Sequence, residues 1–267
     1  MSGPDEQSPS ARRSEPLLAF TVDVEPDWAV GGAAAVQEAL PRLLELLERY
    51  QARATFFVVA DLLKECGELL RRAVPKHEVA SHGLSHRLLD RLSAHEVRRE
   101  LGESRARLSG ELAADVVGFR APFLRVPPGW FELLAEAGYR YDSSLGRVRP
   151  SWKNVPPGRW EPVRVGSVVE IAPMSLRTGA IPFSLTYLRL GAPLTPLLAP
   201  TRGGVFYLHL HELARPEHVN KLRAPLRWML ARNVGEPAWR ILERLLQGWR
   251  GRAVTCRRLL NETGFPL

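Results

Sequence analysis

Short runs of apolar and β-branched residues alternate along the chain with stretches in which apolar residues recur every three or four positions. The runs PLLAFTVDV, ATFFVVA, DVVGFR and GVFYLHL are typical of buried strands, whereas AAAVQEALPRLLELLERYQ and DLLKECGELLRRAV are typical of amphipathic helices. This alternation predicts βαβ units and a parallel sheet or barrel. Ser93 and Glu96 form a capping-box pattern that marks the start of one helix, and Gly138 marks the end of another.

Length and composition favour one domain with a sizeable core, since the chain has 267 residues of which 45% are hydrophobic. Residues 1–16 are polar and lack the apolar core of a secretory signal, so we expect a disordered tail followed by a domain from 17 to 267. The chain also lacks a run long enough to span a bilayer, which favours the cytoplasm. Segments 147–162 and 172–200 are expected to be loops that shape a cleft.

Polar residues stand where four of the predicted strands end. In α/β sheets and barrels, chemistry gathers beyond the carboxyl ends of the strands, so these residues are the candidates for a functional site. They are Asp23 and Glu25 after the first strand, His82 and His86 in SHGLSH, Arg120 in RAPF, and His209, His211 and Glu212 in HLHEL. The apolar Pro122 and Phe123 follow Arg120 at the same strand end.

His82 and His86 have the four-residue spacing that brings two imidazoles to one side of a coiled backbone, where they can bind a divalent metal. A lone pair of this kind is more often a surface or capping pair, and a site needs at least one further ligand. The chain has only two cysteines, Cys66 and Cys256, so a metal would have to be held by His, Asp or Glu.

Together, and in this order, the segments resemble the polysaccharide deacetylase family, the NodB-homology carbohydrate esterases that remove N-linked acyl groups from sugars. FTVDVEPDW resembles the first family motif in its D-x-D/E form, and SHGLSH is similar to the H-(S/T)-x-x-H metal motif, with Gly83 at the usual hydroxyl position. GFRAPF resembles the R-x-P-Y motif with Phe123 for the tyrosine, and YLHLHEL resembles the L-x-H or H-x-x-E-L motif. The similarity runs from about Phe20 to Glu212.

The resemblance implies a distorted (β/α) barrel with about seven parallel strands and a divalent metal, zinc by default, at its carboxyl mouth. His82 and His86 would be ligands and Glu25 the third. Glu25 departs from the aspartate that is common in the family, so Asp27 is the alternative acidic ligand.

Amide hydrolysis needs a base, an acid and a stabilised oxyanion, and each has a candidate. Asp23 would take a proton from water, with Arg120 keeping it ionised and oriented, and His209 would protonate the departing nitrogen. His211 competes with His209, since alternation places both on one face of the strand. The further cleft candidates are Pro122, the backbone N–H of Phe123 for the oxyanion, and Asp142, which could equally form a turn in YDSSL.

The charge is concentrated from about residue 215 onward. Between Arg215 and Arg258 there are eleven Lys/Arg and three Asp/Glu, and 11 − 3 equals the whole net charge of +8. Apolar residues and three tryptophans are interleaved at helical spacings. Two interpretations stay open: helices that pack on the core with a solvated basic face, or a surface that contacts phosphate or an anionic membrane.

The resulting hypothesis is a metal-dependent N-deacylase that acts on an acylamino sugar, in the form of a phosphate-linked, lipid-linked or soluble glycan precursor, in the cytoplasm or at the inner face of the membrane. One alternative is an amidase of the same fold that cleaves a non-sugar C–N bond. Another is a catalytically silent barrel that binds membranes through the basic region. Specific nucleic-acid binding is not expected, because the basic region shows no recognisable nucleic-acid-binding motif.

Overall fold

The computed structural model describes residues 15–27, 31–145, 161–175, 182–191, 203–215, 224 and 226–267. Most of the loop predicted at 147–162, about half of that at 172–200 and most of the predicted N-terminal tail lie outside these residues.

One curled sheet carries the fold, with helices packed against it. In the described residues the strand order is β6-β7-β5-β4-β3-β2-β1-β8, with β9 paired to β1. Seven strands from β7 to β8 pair in parallel and β6 pairs antiparallel to β7, which confirms the predicted distorted (β/α) barrel. The strands are β1 Leu18–Val24, β2 Thr55–Val58, β3 Glu78–Ser81, β4 Gly118–Phe119, β5 Tyr141–Asp142, β6 Val163–Val165, β7 Val168–Glu170, β8 Gly204–His209 and β9 Ala253–Val254.

The helices follow the predicted amphipathic stretches. The third begins at the capping box, since Glu96 N–H donates to the Ser93 hydroxyl at 3.3 Å and Ser93 N–H donates back to Glu96 at 2.9 Å. Within the described ranges, no helix combines the length and apolar character that a membrane crossing requires. The helices are α1 Ala34–Arg49, α2 Leu63–Ala73, α3 Ala94–Leu112, α4 Trp130–Glu136, α5 Leu185–Leu190, α6 Leu226–Ala231, α7 Glu236–Gly248 and α8 Cys256–Glu262.

Strand β1 shows how the sequence places the site. It is buried along its whole length, and its even-numbered residues from Leu18 to Val24 pack into the large core shared with the helices. Because successive side chains of a strand point to opposite faces, Thr21 and Asp23 lie on the other face, toward the barrel interior. The parallel register pairs Asp23 with His209 on β8. The polar residues that end these two strands therefore meet at one end of the barrel.

The basic C-terminal region packs largely against the barrel. Trp239 and Trp249 are buried, and the Trp239 indole N–H donates to the carbonyl of Leu213 at 2.8 Å. Trp228 on α6 differs, since its exposed fraction is 67%. The core-packing interpretation therefore applies to two of the three tryptophans, and only Trp228 is available to a partner.

Candidate active site

Glu25, His82 and His86 converge at the carboxyl ends of β1 and β3. His86 Nε2 lies 2.9 Å and His82 Nε2 lies 3.5 Å from Glu25 Oε2. The three residues each offer one ligand atom, all within 4.8 Å of one another. Glu25 and His82 are buried, and the His86 side chain is only 10% exposed. The two predicted histidine ligands thus lie beside an acidic side chain, Glu25.

Asp27, the alternative acidic ligand, has a different position. Both of its carboxylate oxygens accept hydrogen bonds from the backbone N–H of Ala35, at 3.0 and 3.2 Å, in the first turn of α1. Carboxylates stabilise the N-terminus of a helix, where the helix dipole is positive, so Asp27 interacts with the start of α1 and not with the histidines. It is Glu25 that lies beside the histidines, because β1 ends at Val24 and its next residue still projects toward the barrel mouth.

The unpaired atoms of Glu25, His82 and His86 make this cluster suitable for binding a divalent ion. Within the part of the chain described, Glu25 Oε1, His82 Nε2 and His86 Nε2 are buried without a hydrogen-bond partner, and the close His86–Glu25 contact lacks hydrogen-bond geometry. Buried polar atoms are nearly always satisfied, so three together indicate a missing common partner. His82 Nδ1 donates to the carbonyl of Arg120 at 2.8 Å, which leaves Nε2 as the lone-pair atom. Two nitrogens and a carboxylate are a common set for zinc.

Asp23 and Arg120 form a buried ion pair beside this cluster. Arg120 Nη1 donates to Asp23 Oδ1 at 2.7 Å and to the Thr21 hydroxyl at 2.9 Å. The guanidinium also donates to the hydroxyl and carbonyl of Ser143, and its plane lies over the Phe57 ring. Arg120 is thereby fixed on every side, and one oxygen of Asp23 stays directed at the mouth.

His209 ends the neighbouring strand β8, and its Nε2 lies 3.8 Å from Asp23 Oδ2. Its Nδ1 donates to Glu212 at 3.1 Å, and the buried Arg189 donates to the other oxygen of Glu212 at 2.7 Å. Burial lowers the pKa of His209, but the carboxylates of Glu25, Glu212 and Asp23 outweigh burial and raise it to about 9. A protonated imidazole with one free N–H thus faces the site.

His211, the competing histidine, also faces the cluster. Its ring stacks on that of His209, with centroids 5.1 Å apart, and its Nδ1 lies 3.8 Å from Glu25 Oε1. Burial, together with the neighbouring charge of His209, lowers the pKa of His211 to about 4. The two histidines therefore differ in charge state, and the cationic one lies nearer Asp23.

The remaining cleft candidates divide. Phe123 has a left-handed backbone (φ 57°) in a one-turn helix that starts at Pro122, and its ring packs on His86 with centroids 4.7 Å apart. The side chain of Asp142 is fully buried and accepts hydrogen bonds from Trp130 Nε1 at 2.9 Å and the Ser144 hydroxyl at 2.6 Å. The contact with Ser144 is the one expected of the turn alternative, and a role for Asp142 in the cleft stays a prediction.

Two residues near His209 received no role in the sequence analysis. Glu212 was placed within the HLHEL motif but was given no role, and its three-residue offset from His209 was the available signal. Arg189 lies in the stretch expected to be a loop, which instead forms α5 over the Leu185–Leu190 span. Its burial at 0% exposure has no sequence signal, because it depends on pairing with Glu212 from a distant part of the chain.

The distorted (β/α) barrel, with acidic and histidine side chains gathered at its carboxyl mouth, places the protein in the class of hydrolases that share this fold. Residues 10–141 match the family model for polysaccharide deacetylases. The chain belongs to the polysaccharide deacetylase family.

Sequence relatives and solved structures agree with this assignment. The chain is 30% identical to a peptidoglycan deacetylase of Helicobacter pylori over 53% of this chain and 56% of that protein. It is 28% identical to a chitooligosaccharide deacetylase of Sinorhizobium fredii over 53% of this chain and 62% of that protein. The chain therefore spans little more than half the length of these relatives. The structure of peptidoglycan deacetylase PdaC from Bacillus subtilis has the same fold, with a TM-score of 0.57, 14% identity and coverage of 94% and 92%.

Proposed function

We propose that the protein is a metal-dependent hydrolase that removes an N-acyl group, acetyl or formyl, from an acylamino sugar. One observation carries the proposal: unpaired ligand atoms of Glu25, His82 and His86 lie at the same strand ends as Asp23 and His209, whose side chains are 3.8 Å apart. A structural ion-pair network would have no need for three unsatisfied buried atoms at the mouth of a barrel.

Glu25, His82 and His86 would hold the ion, and zinc suits their nitrogen and oxygen donors. When bound, the ion supplies a Lewis acid that polarises the acyl oxygen and lowers the pKa of water. The backbone N–H of Phe123, whose ring packs on His86, is the proposed hydrogen-bond donor to the oxyanion, which the ion would also stabilise.

Asp23 is the proposed general base. Its pairing with Arg120 keeps the carboxylate ionised and fixes its orientation, because the guanidinium is itself held by Ser143 and Thr21. The carboxylate accepts a proton from water as the water oxygen forms a bond to the acyl carbon.

His209 is the proposed general acid. Glu212 accepts a hydrogen bond from Nδ1 and so directs the Nε2–H toward the cleft, and Arg189 holds Glu212 from behind. The imidazolium donates this proton to the nitrogen as the C–N bond breaks. The products are a free amino sugar and a carboxylic acid, and the two protons of the attacking water are accounted for by Asp23 and the acid product.

The substrate class is supported by the relatives, which are named as deacetylases of peptidoglycan and of chitooligosaccharides. We extend the proposal to a phosphate- or lipid-linked precursor at an anionic membrane surface. What supports this extension is Trp228, which is exposed between the basic residues Arg227 and Arg232, with the Arg232 guanidinium 5.7 Å from its ring. Cytoplasmic location stays a prediction.

A mass-spectrometric screen tests the reaction. Zinc-loaded protein would be incubated with neutral acylamino saccharides and with phosphorylated ones, and the products searched for the loss of one acetyl or formyl group. Asp23→Asn is the matched control, since it keeps the three proposed ligands. Deacylation by wild type and not by the control supports the proposal, and turnover of only non-sugar amides would favour the alternative amidase.

A further inference from the structure

The loop between the two histidines is held from outside by one buried carboxylate. Glu100, on α3, is 4% exposed. Its Oε2 accepts hydrogen bonds from the backbone N–H of Leu84 at 2.8 Å and of Ser85 at 3.1 Å, and its Oε1 accepts one from the Ser85 hydroxyl. A single side chain thus engages two consecutive residues of the loop that separates His82 from His86.

The two histidines are oriented in different ways. His82 follows β3 directly, and its Nδ1 donates to the carbonyl of Arg120, so its ring is fixed by its own hydrogen bond. His86 has a left-handed backbone with φ 60°, a conformation that residues other than glycine rarely adopt. Such a conformation persists only where the surroundings impose it. The position of His86 therefore depends on what holds the loop before it.

Helix α3 and the turn after β2 both hold the loop. The Gly83 and Leu84 carbonyls accept hydrogen bonds from the backbone N–H of Ala60 and Asp61, at 3.0 and 2.9 Å. These contacts fix the first half of the loop. The N–H groups of residues 84 and 85, immediately before His86, are bound by Glu100.

We propose that Glu100 is the positioning residue of the metal centre, which holds the loop at residues 84 and 85 so that His86 Nε2 points at Glu25. This inference rests on the proposed function, because it needs the ion that Glu25, His82 and His86 would hold. Glu100 itself does not touch the ion or the substrate. It acts through hydrogen bonds on the backbone that carries a ligand, and outer contacts of this kind commonly change metal affinity by about 10- to 100-fold.

The full chain, freed of metal, would be titrated with zinc, and cobalt would serve as a spectroscopic probe of ligand geometry. Glu100→Gln keeps the size of the side chain but removes the charge and one acceptor. We expect its dissociation constant for zinc to rise by about 10- to 100-fold and its visible cobalt spectrum to change. Ser85→Ala, which removes one hydroxyl contact, should weaken zinc binding less.

Glu103→Gln is the matched control, since Glu103 lies one turn along α3, is exposed, and pairs only at the surface with Arg99 at 2.9 Å. It should bind zinc as wild type does. If Glu100→Gln lowers the unfolding temperature but keeps wild-type zinc affinity and cobalt spectrum, Glu100 is merely structural and the inference is overturned. If wild type itself binds no zinc, the proposed metal centre and the inference about Glu100 both fail. This outcome differs from the previous one, in which wild type binds zinc and only the inference about Glu100 fails.

Discussion

Arg120 and Asp23 form an ion pair in the interior of the barrel, 2.7 Å apart, with side chains that are 0% and 4% exposed. A buried pair of charges is stable only when its remaining hydrogen-bonding atoms are also satisfied. Here Thr21 and Ser143 satisfy the guanidinium. The arrangement fixes Asp23 where a base is required and also makes this pair critical for stability.

Replacement of Asp23 by Asn should separate catalysis from metal binding. The amide cannot accept the proton, yet Glu25, His82 and His86 stay in place, so we expect most turnover to be lost and zinc binding to be retained. Turnover by mass spectrometry and zinc content by elemental analysis check this together. Loss of zinc along with activity would show that Asp23 is part of the ligand set instead.

Replacement of Arg120 by Ala should affect stability. It should cost about 3–5 kcal/mol of unfolding free energy, because it leaves the buried charge of Asp23 unpaired.

The two histidines at the end of β8 should respond unequally to substitution. His209→Ala should remove most turnover with zinc binding intact, because the proton donor beside Asp23 is lost. His211→Ala should be milder, since burial and the charge of His209 lower its pKa to about 4 and leave it neutral. Steady-state rates of the two zinc-loaded variants provide the comparison. The opposite order would mean that HLHEL has been aligned with the family motif at the wrong histidine.

Glu170 should make stability depend on pH. Burial and the neighbouring Asp142 carboxylate raise the pKa of Glu170 well above 4.5. A raised folded-state pKa gives stability that is complete below about 4.5 and is lost as pH rises through the folded value. The contribution of Glu170 to the unfolding free energy should therefore decline as pH rises above about 4.5, so wild type should lose stability relative to Glu170→Gln, which stays neutral. Urea unfolding at several pH values measures this, with Glu132→Gln as the exposed control; equal slopes would contradict it.

Anionic vesicles test the proposed surface around Trp228. At about 0.15 M ionic strength the Debye length is about 8 Å, so binding through exposed arginines should weaken as salt increases. Arg227→Glu should reduce binding to anionic vesicles and leave neutral vesicles unaffected. Arg250→Glu is the comparison, because Arg250 is exposed but lies beyond α7, next to the buried Trp249. Equal loss in both would indicate only general attraction by the net charge of +8.

Periodicity predicted βαβ units and a parallel sheet or barrel, whereas the distorted barrel and the grouping of the site residues came from the resemblance of the motifs to the polysaccharide deacetylase family. Strand alternation alone places Asp23 and Glu25 on one face of β1, and the motif spacing brings His82 and His86 to them. The sequence left Asp142 between the cleft and a turn in YDSSL, since its burial depends on Trp130 from helix α4, which no local pattern encodes. Contacts between distant segments fix such positions.

Two further residues show the same limit. Glu100 lies on an amphipathic helix that reads as an ordinary packing element, and nothing in its neighbourhood of sequence marks it as a partner of the SHGLSH loop. Arg189 was hidden in a stretch with weak periodicity, although it is fully buried against Glu212. Charged residues are recognisable in sequence, but their burial becomes visible only once the fold brings their partners together.

The central claim is that Glu25, His82 and His86 hold one divalent ion, and a zinc titration of the metal-free full chain tests it most directly. Wild type should bind about one zinc per chain. The double variant His82→Ala/His86→Ala should lose this binding, while His77→Ala, a histidine that accepts a hydrogen bond from the Ala54 backbone away from the cluster, should keep it. Equal zinc binding by wild type and the double variant would contradict the account.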